Sequence, residues 1–265
     1  MNPVTLDSFS LLAAGLLLAI NAALSITFRL GLERGLLIAT VRMIVQLGAI
    51  GFVLKAIFEA SSPWLTGALA LVMVCAAGHE IWSRQSRGFK GIETFALGAG
   101  TLLFIGLLAA PYTVGVVIGN APWYAPRYLL PILGMILGNA LSSVALVLAT
   151  MTREVTHGAA AIEARLALGA GRLEALREPL RASLTAGLMP MLNAMAVTGI
   201  VSLPGMMTGQ ILAGVDPVEA AKYQIMIMFV IAGSAALAAM CAAFGAVLLV
   251  TDARARLRRD RLLQN

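Results

Sequence analysis

The sequence predicts an all-α fold, a polytopic helical membrane protein with about seven transmembrane helices. Of the 265 residues, 60% are hydrophobic and only 12% are charged, and the mean hydropathy is +0.90. A soluble domain has roughly half apolar and a quarter charged residues, so this chain has too little charge to cover its apolar side chains in water. The composition excludes a water-soluble enzyme and a disordered tail. Helices are expected because lipid offers no partners to backbone polar groups.

Seven apolar stretches are long enough to cross a bilayer core of about 30 Å, which takes about 20 helical residues. The fourth stretch has an irregular apolar continuation to residue 118, and the sixth is interrupted at Pro204-Gly205. The stretches cover residues 9–28, 36–58, 64–82, 92–111 and 129–151, then 184 to the break, and finally 223–250.

The basic residues predict the orientation of the helices. Fifteen of the 19 lysines and arginines fall in alternate connections and in the tail, three fall on the other side, and Arg42 lies inside a span. Because cytoplasmic connections are rich in basic residues, we expect the N-terminus outside and the C-terminus in the cytoplasm. The fifteen are Arg29, Arg34, Arg84, Arg87, Lys90, Arg153, Arg165, Arg172, Arg177, Arg181, Arg254, Arg256, Arg258, Arg259 and Arg261, and the three are Lys55, Arg127 and Lys222.

The net charge of +6 is thus explained by topology. We expect the basic cytoplasmic tail, residues 252–265, to meet anionic lipid headgroups as well. No nucleic-acid partner is expected, because no aromatic and basic platform accompanies these charges. The first basic residue, Arg29, follows the first apolar run, whereas a cleavable signal peptide carries its charge before that run. We therefore expect the first helix to stay in the protein.

The connection over residues 152–183 is the one long cytoplasmic loop, and its pattern is helical. After a Gly-Ala-Gly bend at 169–171, leucines recur at helical spacing with charges on the other faces. One interpretation is an amphipathic helix lying on the lipid. The other comes from Glu163-Ala164 followed by Gly169, which resembles the EAA loop of ABC-transporter permeases. In that class the segment is a coupling helix that docks on a cytoplasmic ATPase.

The chain has no motif for hydrolysing ATP itself. A G-x4-G-K-[ST] sequence is missing, so ATP and Mg²⁺ are expected in a separate ATPase chain and no cofactor is expected in this one. Cys75 and Cys241 lie far apart in apolar runs and suggest neither a disulfide framework nor a CxxC site. No catalytic serine, cysteine or H-E-x-x-H constellation is present, so we do not expect an enzyme.

Polar residues inside predicted spans are candidates for a substrate path, because insertion of an ionisable group costs about 2.5–3.5 kcal/mol. Arg42 and Gln46 share one face of the second span. Snorkelling of Arg42 to the headgroups remains an alternative. Asn139 and Asn193 lie in the fifth and sixth spans, where a close-packing seam of small residues is the competing interpretation.

The break in the sixth span is the most unusual segment of the sequence. Pro204 and Gly205 interrupt the helix before Met206, Met207 and Gln210. Broken helices in transporters line a watery cavity or are buried in protein, so these five residues are candidates for the substrate path. An ordinary outer loop is the alternative. Methionine thioethers suit soft metals but are also common in flexible packing.

Four segments resemble the FetB-type iron-export ABC permeases, which are related to plant permeases of aluminium tolerance. They are the stretch Ser202–Phe229, the stretches Leu130–Ser143 and Val41–Phe58, and the loop Glu163–Ala170. The resemblance covers roughly residues 29–250. It implies one permease domain over residues 1–265, in a homodimer in the inner membrane, driven by two copies of a cytoplasmic ATPase and exporting iron or another metal species.

Two other functions remain open from the sequence. An ion-gradient-driven secondary transporter would need no ATPase and usually has internal repeats or intramembrane carboxylates, which the sequence lacks. A membrane scaffold without substrate would bind a partner tightly but move nothing.

Overall fold

The computed structural model describes residues 8–84, 92–252 and 256–258, and within these ranges every regular element is a helix. The polytopic all-α class predicted from composition is confirmed. The helices are α1 (Ser8–Thr27), α2 (Glu33–Ala60), α3 (Pro63–Arg84), α4 (Glu93–Tyr112) with a π-helical turn (Thr113–Val117), α5 (Pro126–His157), α6 (Ala159–Ala167), α7 (Arg172–Ala175), α8 (Arg177–Val197), α9 (Gly205–Leu212) and α10 (Pro217–Val250).

The chain forms two compact units, and the first, Met1–Ser61, contains α1 and α2. Its helices are joined by a tight polar turn. The buried Ser25 hydroxyl donates to the Glu33 carboxylate at 2.8 Å and accepts from the backbone N–H of Leu32 at 2.9 Å. Gly31 takes a φ of +72°, which glycine adopts without steric cost. One serine therefore stabilises the start of α2, where the first backbone N–H groups have no helical partner.

The second unit, Ser62–Asn265, is built around α5. This helix packs against α3, α4, α8 and α10. Its apolar residues recur every three or four positions, so they form one continuous face. The most deeply buried members of this face are Ile136, Ala140, Val144, Val147, Leu148, Met151 and Val155.

α10 packs against α4, α5 and α8, and its buried face contains a row of small side chains. Its buried face is a row of alanines at helical spacing, and each of them has no exposed surface. Small residues let helix backbones approach closely, and van der Waals contact drives helix association where lipid surrounds the bundle. The row consists of Ala235, Ala238, Ala239, Ala242, Ala243 and Ala246.

Five of the described helices are long and apolar enough to cross a membrane, namely α2, α3, α4 with its π-helical turn, α5 and α10. They agree with the second to fifth and seventh predicted spans. The irregular continuation expected after residue 111 is the π-helical turn, which follows Pro111 inside α4. A shorter apolar helix, Leu12–Thr27, corresponds to the first span. The tail is described only at Asp252 and residues 256–258, and Arg87 and Lys90 lie outside the described residues.

The sixth span differs from the prediction. α8 begins at Arg177, seven residues before the expected start, and ends at Val197, well before Pro204. Arg177, Glu178 and Arg181 occupy its first turns, and for this reason α8 is less apolar than the five long helices. Its end is set by Gly199, whose φ of +90° turns the chain. The interruption is therefore a segment from 198 to 204 and not a kink at the proline.

Close approach of α8 to α5 depends on one glycine. A Cβ atom built on Gly187 would overlap a methyl of Val147 and would lie 2.9 Å from the Ser143 carbonyl oxygen. The backbone cannot yield as a flexible side chain would, so only glycine permits this contact. Gly138, on α5, is the opposite case, since nothing lies within 4 Å of its Cβ position.

We expect Gly187→Ala to destabilise the protein by about 1–3 kcal/mol through overpacking. Gly138→Ala is the matched control, because the same change in an open helical position raises helix propensity by about 1 kcal/mol without a clash. The apparent melting temperature of each variant in detergent measures the effect. Equal melting temperatures for the two variants would contradict the packing seen between α5 and α8.

Candidate functional site

The first candidate site is the α6–α7 segment, residues 158–176, which connects α5 to α8. Gly158 ends α5 and begins α6, and Gly169 reverses the chain with a φ of +92°. Two backbone bonds close this turn: Gly169 N–H donates to Leu166 O at 3.1 Å and Ala170 N–H to Arg165 O at 3.0 Å. Glycine is needed at position 169 because other residues rarely adopt this conformation. The segment is a pair of short helices, bent where the sequence places glycines.

One face of the α6–α7 segment anchors it to the bundle. Ala159 and Ile162 of α6 are buried, and Ala175 and Leu176 have no exposed surface. Glu163, Ala164 and Gly169 are exposed. The predicted coupling residues therefore lie exposed on a segment whose buried residues anchor it.

Leu168 is a residue of this surface that the sequence motif did not identify. Its side chain is 89% exposed at the tip of the turn. Beside it is a groove of about 590 Å³ with charges of both signs, lined by Arg165, Leu168, Gly169, Ala170, Glu174, Arg177 and Glu178. Helical periodicity could have identified Leu168 as exposed. Ala159, Ile162 and Leu166 share one face of the helix, whereas Leu168 lies on the other side.

The second candidate site is the α9–α10 hairpin, residues 204–230. Pro204 precedes α9 in an extended conformation, and Gly205 is the first helical residue. A backbone hydrogen bond closes the hairpin turn: Val215 N–H donates to Gln210 O at 3.0 Å. Gly214 takes a φ of +91° within this turn. The Asp216 carboxylate then caps α10 by accepting from the N–H groups of Val218 and Glu219. Four predicted path residues, Gly205, Met206, Met207 and Gln210, thus lie on one short helix, and Pro204 directly precedes it.

Within this hairpin, the side chains of α9 face both inward and outward. Met206, Met207 and Gln210 are half-buried, and Met206 packs against the core of the second unit. In the described part of the chain, the buried side-chain oxygen of Gln210 has no hydrogen-bond partner. At eight residues, about 12 Å, α9 is too short to span a bilayer. It packs instead along the beginning of α10.

The remaining predicted path residues are dispersed. Asn139 is exposed on α5 and donates to Met135 O at 2.9 Å, and Asn193 is exposed near the end of α8. Among the described residues, no atom lies within 4 Å of a Cβ position on Gly138, whereas a Cβ on Gly134, one turn earlier, would lie 3.4 Å from the Met73 methyl. The packing seam stays open as an alternative. Arg42 and Gln46 are both exposed on α2 and belong to the first unit.

Gln224 is a polar residue that the sequence analysis missed. It is 6% exposed on α10, and its side-chain oxygen has no hydrogen-bond partner within residues 8–84, 92–252 and 256–258. It lies on the same face as Ala220 and Ile227, which are both buried. The sequence feature that could have identified Gln224 is that it is a single amide within the long apolar run of α10.

A groove of about 600 Å³ between α4 and α10 is unsuited to a cation. Apart from Lys222, its lining is mostly apolar and includes Leu108, Val117, Phe229 and Leu237. Within the described ranges, no three His, Cys, Asp or Glu side chains group together as metal ligands. The polar groups available to a substrate are therefore amides, hydroxyls and thioethers on the helices, and not a carboxylate cluster.

Comparison with known proteins places the chain in a family. The family model described as an uncharacterised protein family, UPF0014, matches residues 8–249. No solved structure matches the chain.

Three relatives illustrate the match. A protein named "UPF0014 membrane protein slr1647" from Synechocystis is 38% identical over 76% of this chain and 77% of its own length. The Escherichia coli protein named "Probable iron export permease protein FetB" is 34% identical over 92% of each chain. "Protein ALUMINUM SENSITIVE 3" of Arabidopsis thaliana is 32% identical over 88% of this chain and 83% of its own. The resemblance predicted from the sequence is confirmed, and the chain belongs to the UPF0014 family of multi-pass membrane proteins.

Proposed function

We propose that the protein is the permease subunit of an ABC transporter in the cell's inner membrane and exports iron or another metal species. A separate cytoplasmic ATPase supplies the energy. The observation that carries this proposal is the α6–α7 segment, where an exposed turn at Gly169 is anchored through Ile162 and Leu176 to the helices that it must move. The name of the Escherichia coli relative supports the metal as substrate.

The connections of the segment explain how it can transmit force. α6 continues from α5 across Gly158, and α7 leads into α8 across Leu176. α5 and α8 also pack along each other. A push on the turn therefore acts on two helices at once. α8 is about 30 Å long and ends at the segment before α9, so its motion reaches the opposite end of the unit.

The chemistry of the exposed surface suits a protein partner. Leu168 offers an exposed apolar side chain, and the fully buried core of a protein interface is more apolar than its rim. The arginines and glutamates around it, Arg165, Glu174, Arg177 and Glu178, provide the charge pattern that determines register and partner choice. Glu163 and Ala164 lie on the adjoining face of α6. A protein partner with complementary charges could pair with this pattern, whereas on a lipid surface the same charges would face water and headgroups.

In the proposed cycle, a homodimer of this chain binds two ATPase copies. ATP and Mg²⁺ bound by the ATPase close the two copies on each other, and the movement is passed to the α6–α7 segment. The helices then alternate between inward-open and outward-open arrangements. The cargo passes the polar positions of the bundle, among them Asn139, Asn193 and the residues of α9.

We expect Leu168→Asp to weaken binding of the ATPase about tenfold or more, because the change places a charge at the centre of the interface. Leu212→Asp is the matched control, since Leu212 is similarly exposed at the end of α9, on the opposite side of the predicted membrane. Co-purification of the ATPase with tagged permease measures the effect. Equal retention of the ATPase by both variants would exclude the Leu168 surface as the docking site.

We expect Gly169→Val to lower the amount of substrate moved per ATP hydrolysed, because a β-branched residue is strained at a φ of +92°. Gly171→Val serves as the control: nothing lies within 4 Å of either Cβ position, but Gly171 has an extended backbone with a φ of −65° and a ψ of 160°. Both variants are assayed in proteoliposomes for flux and ATP turnover. If Gly169→Val pumps as well as Gly171→Val, the turn has no role in coupling.

A further inference from the structure

Two buried amide oxygens on the α9–α10 hairpin, those of Gln210 and Gln224, have no hydrogen-bond donor among the residues that the structure describes. Buried polar groups in proteins are almost always paired, because an unpaired one loses its bond to water and gains nothing in return. The loss is greater in a helical bundle surrounded by lipid. Two such oxygens on one hairpin indicate that a donor arrives from elsewhere.

The hairpin holds these amides in place. Gln224 is 6% exposed and lies one turn from Ala220 and Ile227, which are both buried. The backbone bond from Val215 to Gln210 O and the Asp216 cap determine the path of the chain between the two helices. The backbone that carries the two amides is therefore held by hydrogen bonds on both sides of the turn.

The acidic groups of the hairpin are engaged elsewhere. The Asp216 carboxylate caps α10, and Glu219 pairs with Lys222 at 2.6 Å on the exposed side. No cluster of three metal-ligating side chains occurs in residues 8–84, 92–252 and 256–258. A cargo that enters this hairpin thus meets amide oxygens and the thioethers of Met206 and Met207.

An amide oxygen is a hydrogen-bond acceptor, so the matching cargo carries donors. Water molecules bound to a metal cation are polarised by its charge and donate strongly. We propose that Gln224, together with Gln210, recognises a hydrated metal cation through its bound water, by outer-sphere hydrogen bonds and without direct coordination. This inference rests on the proposed function as a metal exporter and names the form in which the metal is recognised.

The first test measures anaerobic binding of Fe²⁺ to the purified full-length chain, by calorimetry, and the melting temperature without metal. We expect Gln224→Leu to weaken Fe²⁺ binding about 10- to 100-fold, the effect of losing one hydrogen bond to a charged partner. The melting temperature without metal should stay equal or rise, because an unpaired acceptor is replaced by an apolar group. Ser234→Ala, also buried on α10, is the control and should leave Fe²⁺ binding unchanged.

The melting temperature distinguishes a role of Gln224 in metal recognition from a purely structural role. If Gln224→Leu lowers the melting temperature and leaves Fe²⁺ binding unchanged, the oxygen is satisfied by ordered water and the inference is wrong. Should Gln224→Leu not fold, Gln210→Leu tests the second amide of the proposal, with weaker Fe²⁺ binding expected and unchanged binding contradicting it.

The second test uses hexaamminecobalt(III), which exchanges its ligands very slowly and can bind only through its N–H donors. We expect it to compete with Fe²⁺ on the wild-type chain and to lose this ability with Gln224→Leu. Failure to compete would mean direct coordination and would overturn the inference while leaving metal export intact. If the wild-type chain neither binds Fe²⁺ nor transports it with its ATPase, the proposed function fails and the inference fails with it.

Discussion

The close approach of α8 and α10 to α5 is the constraint on which the rest of the second unit depends. Lipid is as apolar as leucine, so burial alone does not hold helices together in a membrane, and contact between small residues must do so. Gly187 lies directly against Val147 and the Ser143 carbonyl, and a row of fully buried alanines lines α10. Such packing leaves little freedom for one helix to move without its neighbours.

That packing makes the two candidate sites parts of one mechanical unit. The α6–α7 segment joins α5 to α8, and α8 leads through residues 198–204 to α9, which packs on α10. A displacement at the Gly169 turn can therefore pass along α8 to the hairpin that holds Gln210 and Gln224. The proposed transport cycle requires such a connection between a motor-binding surface and a polar site, and rigid helices supply it over about 30 Å.

Local sequence patterns pointed to some residues of the two candidate sites and missed others. Glu163, Ala164 and Gly169 were selected because Glu-Ala followed by Gly resembles the EAA loop of ABC-transporter permeases, and their role in coupling stays a prediction. The structure has Gly169 in the left-handed region, which suits a sharp turn. Pro204 suggested the break, but α8 ends at Val197 because Gly199 turns the chain first. Leu168 and Gln224 escaped notice, since a leucine and an amide in apolar segments look ordinary until their exposure and bonding are known.

Composition and periodicity alone determined the all-α membrane class and the approximate limits of the long helices, because lipid imposes length, apolarity and internal backbone pairing on any segment that crosses it. The tertiary structure decided which face of each helix is covered, that Leu168 projects from the turn, and that the Gln224 oxygen lacks a donor. These properties depend on neighbours far apart in the chain, and a local pattern of residues carries no information about which helices will meet.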